Sequence, residues 1–431
     1  MNGQLSTSRA DHPRGYASPN PSADNVTPPQ NVVPAPPAAI EVAILTGGFD
    51  KPYALGLSMA LASQAVSQDV IGSDQMDSPE MHTTPGVRFM NLQGSREDAG
   101  LTSKMLRVLI YYARLMWYAA SSEAKIFHIL WNNKFLYFDR TALMLYYKLL
   151  GKKIVLTAHN VNAGIRDSND SPINRATLKI QYRLADHIFL HTEKMKQELL
   201  RDFGVRERAA TVIPFGINNT VPNTDLTRAQ ARHRLDIAEN EKTILFFGAI
   251  RPYKGLEYLV DAFFQVAASQ PEYRLIIAGA PRKDTEQYLA EIERTIESHP
   301  QGRRIIRRIQ YVPDEETELY FKAADVLALP YTHVFQSGVL FLAFSFGLPV
   351  IASDVGSVGD DIIEGRTGLL CKPRDPQGLA SALEEYFASD LFKNLDIQRK
   401  EIKDYANTRH SWDLVAEITR GIYTELLEVH Q

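Results

Sequence analysis

The stretch Phe335 to Gly356, FQSGVLFLAFSFGLPVIASDVG, limits most tightly what this chain can fold into. It divides into three physical parts. Gln336-Ser337-Gly338 is a turn able to point backbone N–H groups outward. Val339 to Phe346 is apolar almost all round, which predicts a buried helix starting at that turn. Gly347-Leu348-Pro349 ends the helix, through a glycine C-cap and a proline that cannot continue it. Val350-Ile351-Ala352 then reads as a short, fully buried strand. A buried helix feeding directly into a buried strand belongs to a layered αβ structure with a parallel sheet. The polar turn at the helix N-terminus makes a ready anion site. Taken alone, the stretch is equally one more αβ unit of a doubly wound domain.

The same alternation runs through the chain. Glu41 to Thr46 predicts a first strand, followed by Gly47-Gly48-Phe49-Asp50 and a helix over Tyr53 to Val66. Glycines directly after a first strand let another backbone or a ligand come close. They form no G-x-G-x-x-G fingerprint, and the chain has no phosphate loop of the G-x-x-x-x-G-K-S/T type. Further strands are read at Gly86–Leu92, Ile126–Leu130, Gly151–Thr157, Ala185–Leu190 and Thr211–Gly216. Helices are read at Leu101–Ala120, near Phe138–Leu150 and from His191-Thr192-Glu193 onward, the last with capping-box character. A second series starts at Lys242–Phe247. It continues through Tyr273–Ala278, Ile305–Val312, Val326–Leu329 and Val350–Ser353. Trp412 to Val429 closes the pattern as an amphipathic helix. Such alternation predicts parallel, doubly wound sheets with ligands at the strand carboxyl ends.

The two series imply a domain over 41–220 and another over 221–405, with residues 406–431 as a helix able to pack back on the first. The polar segment Ile217 to Asp236 reads as the linker. Residues 1–40 alternate proline with Ser, Asn, Ala and Gly, which predicts a disordered tail. That tail lacks an apolar core after a basic start, so it does not read as a signal peptide.

Composition narrows the function. A net charge of −4 argues against a general nucleic-acid binder. Cys371 is the sole cysteine, so no internal disulfide can form and a reducing, cytoplasmic setting fits. Cys371 itself, beside Leu369-Leu370, reads as a small core hydrophobe. The helix Leu101–Ala120 carries Lys104, Arg107 and Arg114, so it should not span a membrane. It reads as a helix covering the sheet, with a peripheral membrane face as the alternative. No cluster of Asp, Glu, His or Cys suggests a metal, and metal independence is expected.

The most specific chemistry is Phe247-Gly248-Ala-Ile-Arg251-Pro252-Tyr-Lys254-Gly255-Leu-Glu257. A strand ends at Gly248, and two cations three residues apart flank a stiff proline loop before a helix. In sign and geometry this suits a diphosphate. The bland alternative is a solvated basic turn.

FFGAIRPYKGLEYLVDAF resembles the strand–loop–helix of the GT-B glycosyltransferases, especially retaining family 4. IIAGAP, YVPDEETELYFKAADVLALP, the stretch from Phe335 to Leu370, and VLTAHN resemble further segments of that family, in the right order. The resemblance implies two Rossmann-like domains with a cleft between them. It implies a nucleotide-diphosphate sugar as co-substrate, no other cofactor, and a saccharide or lipid-linked acceptor. A lipid-linked acceptor would bring peripheral contact at the inner membrane face. Polysaccharide or glycoconjugate synthesis would be the use. A sugar-nucleotide epimerase and a non-catalytic sugar-nucleotide binder are the rival readings.

Residue by residue, the resemblance places Arg251 and Lys254 on the donor diphosphate, with Lys254 the safer assignment because Arg251 is shifted by two positions. Gly47 and Gly48 would admit the diphosphate or the acceptor. His159 would hydrogen-bond the donor sugar. The backbone at Ser337, Gly338 and Val339 would touch sugar and phosphate, and that at Val312 the nucleobase. The chain departs from the family where two glutamates eight apart are usual: Val334, Phe335, Leu342 and Ala343 occupy those places. Gln336 can replace one sugar contact, since an amide both donates and accepts. An inverting reaction would need a general base, for which Asp50 and His159 are the candidates.

Overall fold

The computed structural model describes residues 40–94, 101–166, 170–217, 221–282 and 284–428. The proline-rich segment lies outside them, apart from Ile40. Two parallel sheets with flanking helices make an α/β architecture within one compact unit. The first has seven strands: β1 (Ile40–Leu45), β2 (Val66–Gly72), β3 (Val87–Asn91), β4 (Ile126–Ile129), β5 (Lys153–Thr157), β6 (His187–Leu190) and β7 (Ala210–Val212). The second has six: β8 (Lys242–Phe247), β9 (Tyr273–Ala278), β10 (Ile305–Arg308), β11 (Val326–Leu329), β12 (Val350–Ser353) and β13 (Gly368–Cys371). Their orders are β3-β2-β1-β4-β5-β6-β7 and β10-β9-β8-β11-β12-β13. In each sheet the chain starts at a central strand, winds to one edge, then crosses back and winds to the other. Loops at the reversal point open a crevice beyond the strand carboxyl ends.

Two sequence expectations fail. The first helix is Lys51–Ser63, not Tyr53–Val66. Ala65 takes a left-handed φ of 59°, which turns the chain and frees Val66 to begin β2. That strand, VSQDVIG, hides its polar Gln68, whose amide donates to the Ser58 carbonyl at 2.7 Å. The segment Ile217–Asp236 is also more than a linker. It contains the helix Arg228–Arg234, begun by a full capping box between Thr227 and Gln230. Arg232 is only 1% exposed and meets Asp325 at 2.6 Å, with Arg228 on the other carboxylate oxygen. Asp325 also accepts from the Thr243 backbone N–H at 2.8 Å. This ion cluster, with Arg232 and Asp325 buried and Arg228 at its rim, anchors the segment to the second sheet.

The helix Gly338–Ser345 is buried, as its all-round apolar sequence requires. The helix Trp412–Glu428 packs against Lys51–Ser63, with Val415, Ala416 and Tyr423 in the same core as Val42 and Ile44. Tyr423 shares a hydrogen bond with the His128 ring at 2.6 Å. Trp412 seats where only glycine leaves room: a Cβ on Gly56 would lie 2.2 Å from its ring, and one on Gly216 2.3 Å. The indole N–H donates to the Ile217 carbonyl at 2.8 Å, and the Ile217 N–H donates to the His410 carbonyl at 2.9 Å.

The helix Leu101–Ser121 covers the first sheet through Tyr111, Tyr112, Leu115, Tyr118 and Ala119. Its other face leaves Met105 and Trp117 about two-thirds to three-quarters exposed. No helix among the described residues is long and apolar enough to cross a membrane. Cys371 is half-buried on edge strand β13, and burial pushes its thiol up to about 11.

Candidate active site

A cavity of about 330 Å³ lies between the two sheets. Asp50 and Tyr53 line it from the first half, Lys254, Tyr331 and the run Gln336–Val339 from the second, and Trp412 from the last helix. Five of the residues singled out in the sequence meet there besides Asp50: Lys254, Gln336, Ser337, Gly338 and Val339.

Lys254 follows β8 in a short 3₁₀ turn, and Gly255 then enters the next helix at φ 65°. A Cβ on Gly255 would strike the Pro330 carbonyl, so the glycine lets the turn press against the strand end. The side chain of Lys254 is 7% exposed. Burial first, and Arg251 second, lower its pKa to about 8. No carboxylate contributes, so the ammonium is held without an anion of the protein's own among the described residues. It stands 5.7 Å from the centre of the Tyr331 ring.

Opposite that ammonium the helix Gly338–Ser345 begins. Ser337 is its N-cap residue, yet its hydroxyl makes no capping bond. Ser337 Oγ pairs with Tyr331 Oη at 3.1 Å instead. Leu340 N–H donates to the Ser337 carbonyl at 3.0 Å, and the Gly338 and Val339 N–H groups before it are left for another partner. Space beside Gly338 is open, since a Cβ there would meet nothing within 4 Å. A buried cation and an uncapped helix N-terminus on one wall make a site for an anion.

Gln336 turns its Nε2 to Asp361 Oδ2 at 3.2 Å, and its Oε1 is buried without a partner. Asp361 is 6% exposed, and burial pushes it up to about 6. It lies in the stretch from Phe335 to Leu370, where only the fold shows that it backs Gln336. Tyr331, six positions before Ser337, and Trp412, from the last helix, also line the cavity without a motif that marks them.

Asp50 adopts a left-handed φ of 51° and caps the first helix, its carboxylate accepting from the Tyr53 N–H at 3.3 Å. His159 does not line the cavity. It stacks on Trp131 with ring centres 4.0 Å apart, behind the edge of Tyr53 at 4.7 Å. His191 donates from Nδ1 toward the Ile213 carbonyl, so its Nε2 accepts from His159 Nδ1 at 3.1 Å. This leaves His159 Nε2 as a lone-pair acceptor without a protein partner. Burial lowers the pKa of both rings, which keeps them neutral.

Four other predicted residues also stand outside the cavity lining. Gly47 and Gly48 have φ of 60° and 77°, and what approaches Gly47 is the backbone of Trp131 and Asn132. Arg251 is half-buried against Tyr253, and Val312 is buried behind the second sheet's edge.

Two family models match the chain: Glycosyltransferase Family 4 over residues 52–220 and Glycosyl transferases group 1 over residues 241–389. A D-inositol 3-phosphate glycosyltransferase of Geodermatophilus obscurus is 25% identical, over 93% of this chain and 91% of that protein. Its namesake from Corynebacterium glutamicum is 28% identical, over 64% of this chain and 67% of that protein. The fold matches a sucrose-phosphate synthase from Thermosynechococcus elongatus with a TM-score of 0.70 at 19% identity, covering 90% of this chain and 99% of that one. It also matches Anabaena HepE in complex with UDP-glucose, TM-score 0.68 at 17% identity, covering 90% and 99%. With one model on each half and the two-sheet fold around the cavity, the chain belongs to the GT-B glycosyltransferases and resembles family 4.

Proposed function

We propose that the enzyme transfers a sugar from a nucleoside-diphosphate donor, with the diphosphate on Lys254 and on the N-terminus of the Gly338–Ser345 helix. The observation that carries this reading is the buried ammonium of Lys254, which shares the cavity with a helix end lacking a side-chain cap and has no carboxylate to neutralise it among the described residues. As the glycosidic bond breaks, charge grows on the leaving phosphate oxygens. A fixed cation stabilises that charge more in the transition state than in the ground state. Lys254 supplies the positive charge in this scheme, so turnover should survive a chelator. Asp50 faces the cavity from the other half and is the carboxylate placed to accept a proton from an acceptor hydroxyl. The relatives' names and the UDP-glucose bound to the Anabaena protein support a uridine nucleotide donor and a saccharide-type acceptor.

The test is titration calorimetry with UMP, UDP and UDP-glucose, beside a turnover assay with and without acceptor. UDP should bind more tightly than UMP, and Lys254→Ala should abolish the difference. Equal binding of UMP and UDP by the wild type would overturn the diphosphate assignment. Isomerised sugar nucleotide formed without acceptor would instead identify an epimerase.

The exposed face of Leu101–Ser121 fits a lipid surface, and a lipid-linked acceptor follows from it. Met105, Leu106, Leu109, Ile110 and Trp117 project outward beside Arg114. Phe135 and Phe138, which pack on Tyr112, extend the apolar face. Flotation with vesicles containing phosphatidylglycerol should show salt-sensitive binding that Trp117→Glu removes. Absence of binding at low salt would leave only the soluble saccharide acceptor.

A further inference from the structure

Tyr331 spans the two anion-holding parts of the cavity. Its ring lies under the ammonium of Lys254, with the nitrogen 5.7 Å from the ring centre. Its hydroxyl pairs with Ser337 Oγ at 3.1 Å, where the Gly338–Ser345 helix begins. Both residues are buried.

The backbone fixes the tyrosine in that place. The Pro330 carbonyl before it lies so close to Gly255 that a Cβ there would strike it. The Thr332 N–H after it donates to the Tyr253 carbonyl at 2.8 Å. The Tyr253 ring meets its ring edge-on, with centres 6.2 Å apart. Tyr331 is thus clamped to the turn that carries Lys254, and its hydroxyl reaches across to the helix.

That reach explains what Ser337 leaves undone. An N-cap serine with extended backbone ordinarily accepts from the N–H two or three residues on, as Ser171 does at the helix it begins. Ser337 has such a backbone, with φ −129° and ψ 115°, yet makes no capping bond. Leu340 N–H is taken by the Ser337 carbonyl, which leaves the N–H groups of Gly338 and Val339. Gly338 is exposed and Val339 half-buried, and both line the cavity.

We propose that Tyr331 is a positioning residue for the leaving diphosphate: by holding the Ser337 hydroxyl, it keeps the helix from capping itself and leaves the Gly338 and Val339 N–H groups for a phosphate oxygen beside Lys254. This rests on the donor-site reading above and adds what keeps that site open. Without the phenol oxygen, Ser337 swings onto the Val339 N–H, and a phosphate must displace it to bind. The ring under the ammonium is a separate matter, so the hydroxyl can be tested without disturbing it.

The experiment compares the wild type with Tyr331→Phe, Ser337→Ala and the double variant Tyr331→Phe/Ser337→Ala. UDP is titrated into each by calorimetry, and the melting temperature of each ligand-free protein is recorded. Tyr331→Phe keeps the ring and should bind UDP about fivefold more weakly, the scale of one helix cap. Its melting temperature should change little, because the new cap replaces the lost bond. The double variant lacks the competing hydroxyl. It should melt below Tyr331→Phe and yet bind UDP more tightly, regaining most of the loss. A packing defect would instead move stability and affinity together. Ser337→Ala alone should give no such gain, since the tyrosine already holds the hydroxyl away. Undiminished UDP affinity in Tyr331→Phe, a double variant that binds no better than Tyr331→Phe, or an equal gain from Ser337→Ala alone would overturn the proposal. Should UDP fail to bind even the wild type, the donor-site reading falls instead.

Discussion

The loop after the first central strand occurs twice, once in each half, and the two copies carry opposite charge. After β1 it ends in Asp50, whose carboxylate caps the following helix. After β8 it ends in Lys254 and Gly255, and the following helix has no side-chain cap. Both loops reach the same cavity. In the first half one oxygen of the charged group is taken by its own backbone, although burial still pushes the carboxyl up. In the second the charged group is buried beside the Tyr331 ring with no carboxylate near it among the described residues, at a cost to stability that a bound anion would offset. Topology alone therefore does not make a site. Asp50 keeps a cap bond beside its place in the cavity lining, whereas Lys254 meets no carboxylate among the described residues.

Removing the unsatisfied charge gives the largest expected effect. Lys254→Ala should cut turnover by roughly 10²–10³-fold, the scale of one preorganised electrostatic contact. The comparison predicts an opposite sign for stability. The lysine pKa falls from 10.5 to about 8 in the folded state, so between those values the unfolded chain binds more protons than the native one. Stability should then rise with pH from about 8 upward, and the penalty should be fully present at pH 7. Lys254→Met, close in shape and uncharged, should stabilise the ligand-free enzyme by about 1–3 kcal/mol at pH 7. Denaturant titrations at pH 7 and pH 10 would check this. A Met variant less stable than wild type at pH 7 would mean that the ammonium is satisfied after all.

A middle-sized effect tests whether the first half is as purely structural as the comparison holds. Gly56→Ala puts a methyl 2.2 Å from the Trp412 ring, which must then leave its seat. Overpacking of this kind should cost about 1–3 kcal/mol, although alanine favours a helix interior more than glycine does. Because Trp412 also lines the cavity, UDP-glucose affinity should fall along with the melting temperature. Loss of stability with unchanged affinity would separate the seat from the site.

The smallest effect concerns the satisfied charge. Asp50→Ala should cost about 1 kcal/mol through the lost helix cap, while Asp50→Asn should cost almost nothing, since asparagine caps well and tolerates a left-handed backbone. Turnover of the stable Asn variant then reads the proton-accepting role by itself. Full activity in Asp50→Asn would confine this residue to capping.

Much of this arrangement could be read from residue order. Apolar runs such as Ile126–Leu130 and Lys242–Phe247 are strands because nothing else of that length buries on both faces. Lys254 could be singled out because a cation between a strand end and a helix-entering glycine suits an anion, and the fold buries it in the cavity lining where a solvated basic turn would leave it exposed. Illegible features share one cause: their partners are far away in sequence. β2 alternates polar residues that only Ser58 and neighbouring strands explain. Arg232 looks like a solvated helix residue until Asp325, 93 positions later, is placed against it. Asp361 looked like one acid in a polar turn until Gln336 was seen to lean on it. His159 misled in the opposite direction: its motif pointed at the cavity, whereas Trp131 and Tyr53 hold it one ring behind the wall.

The helix Trp412–Glu428 has a consequence for how the molecule is made. One face of the first sheet is closed by residues that are translated about two hundred positions after β7. Until they emerge from the ribosome, Val42, Ile44 and the ring of His128 lack part of their cover, so the half that is synthesised first is completed last. The second half closes its core with Ile402 and Ala406, which are translated just before that helix. A chain ending before residue 412 should therefore hold a covered second sheet beside a first sheet with an open flank, which is where a chaperone would bind.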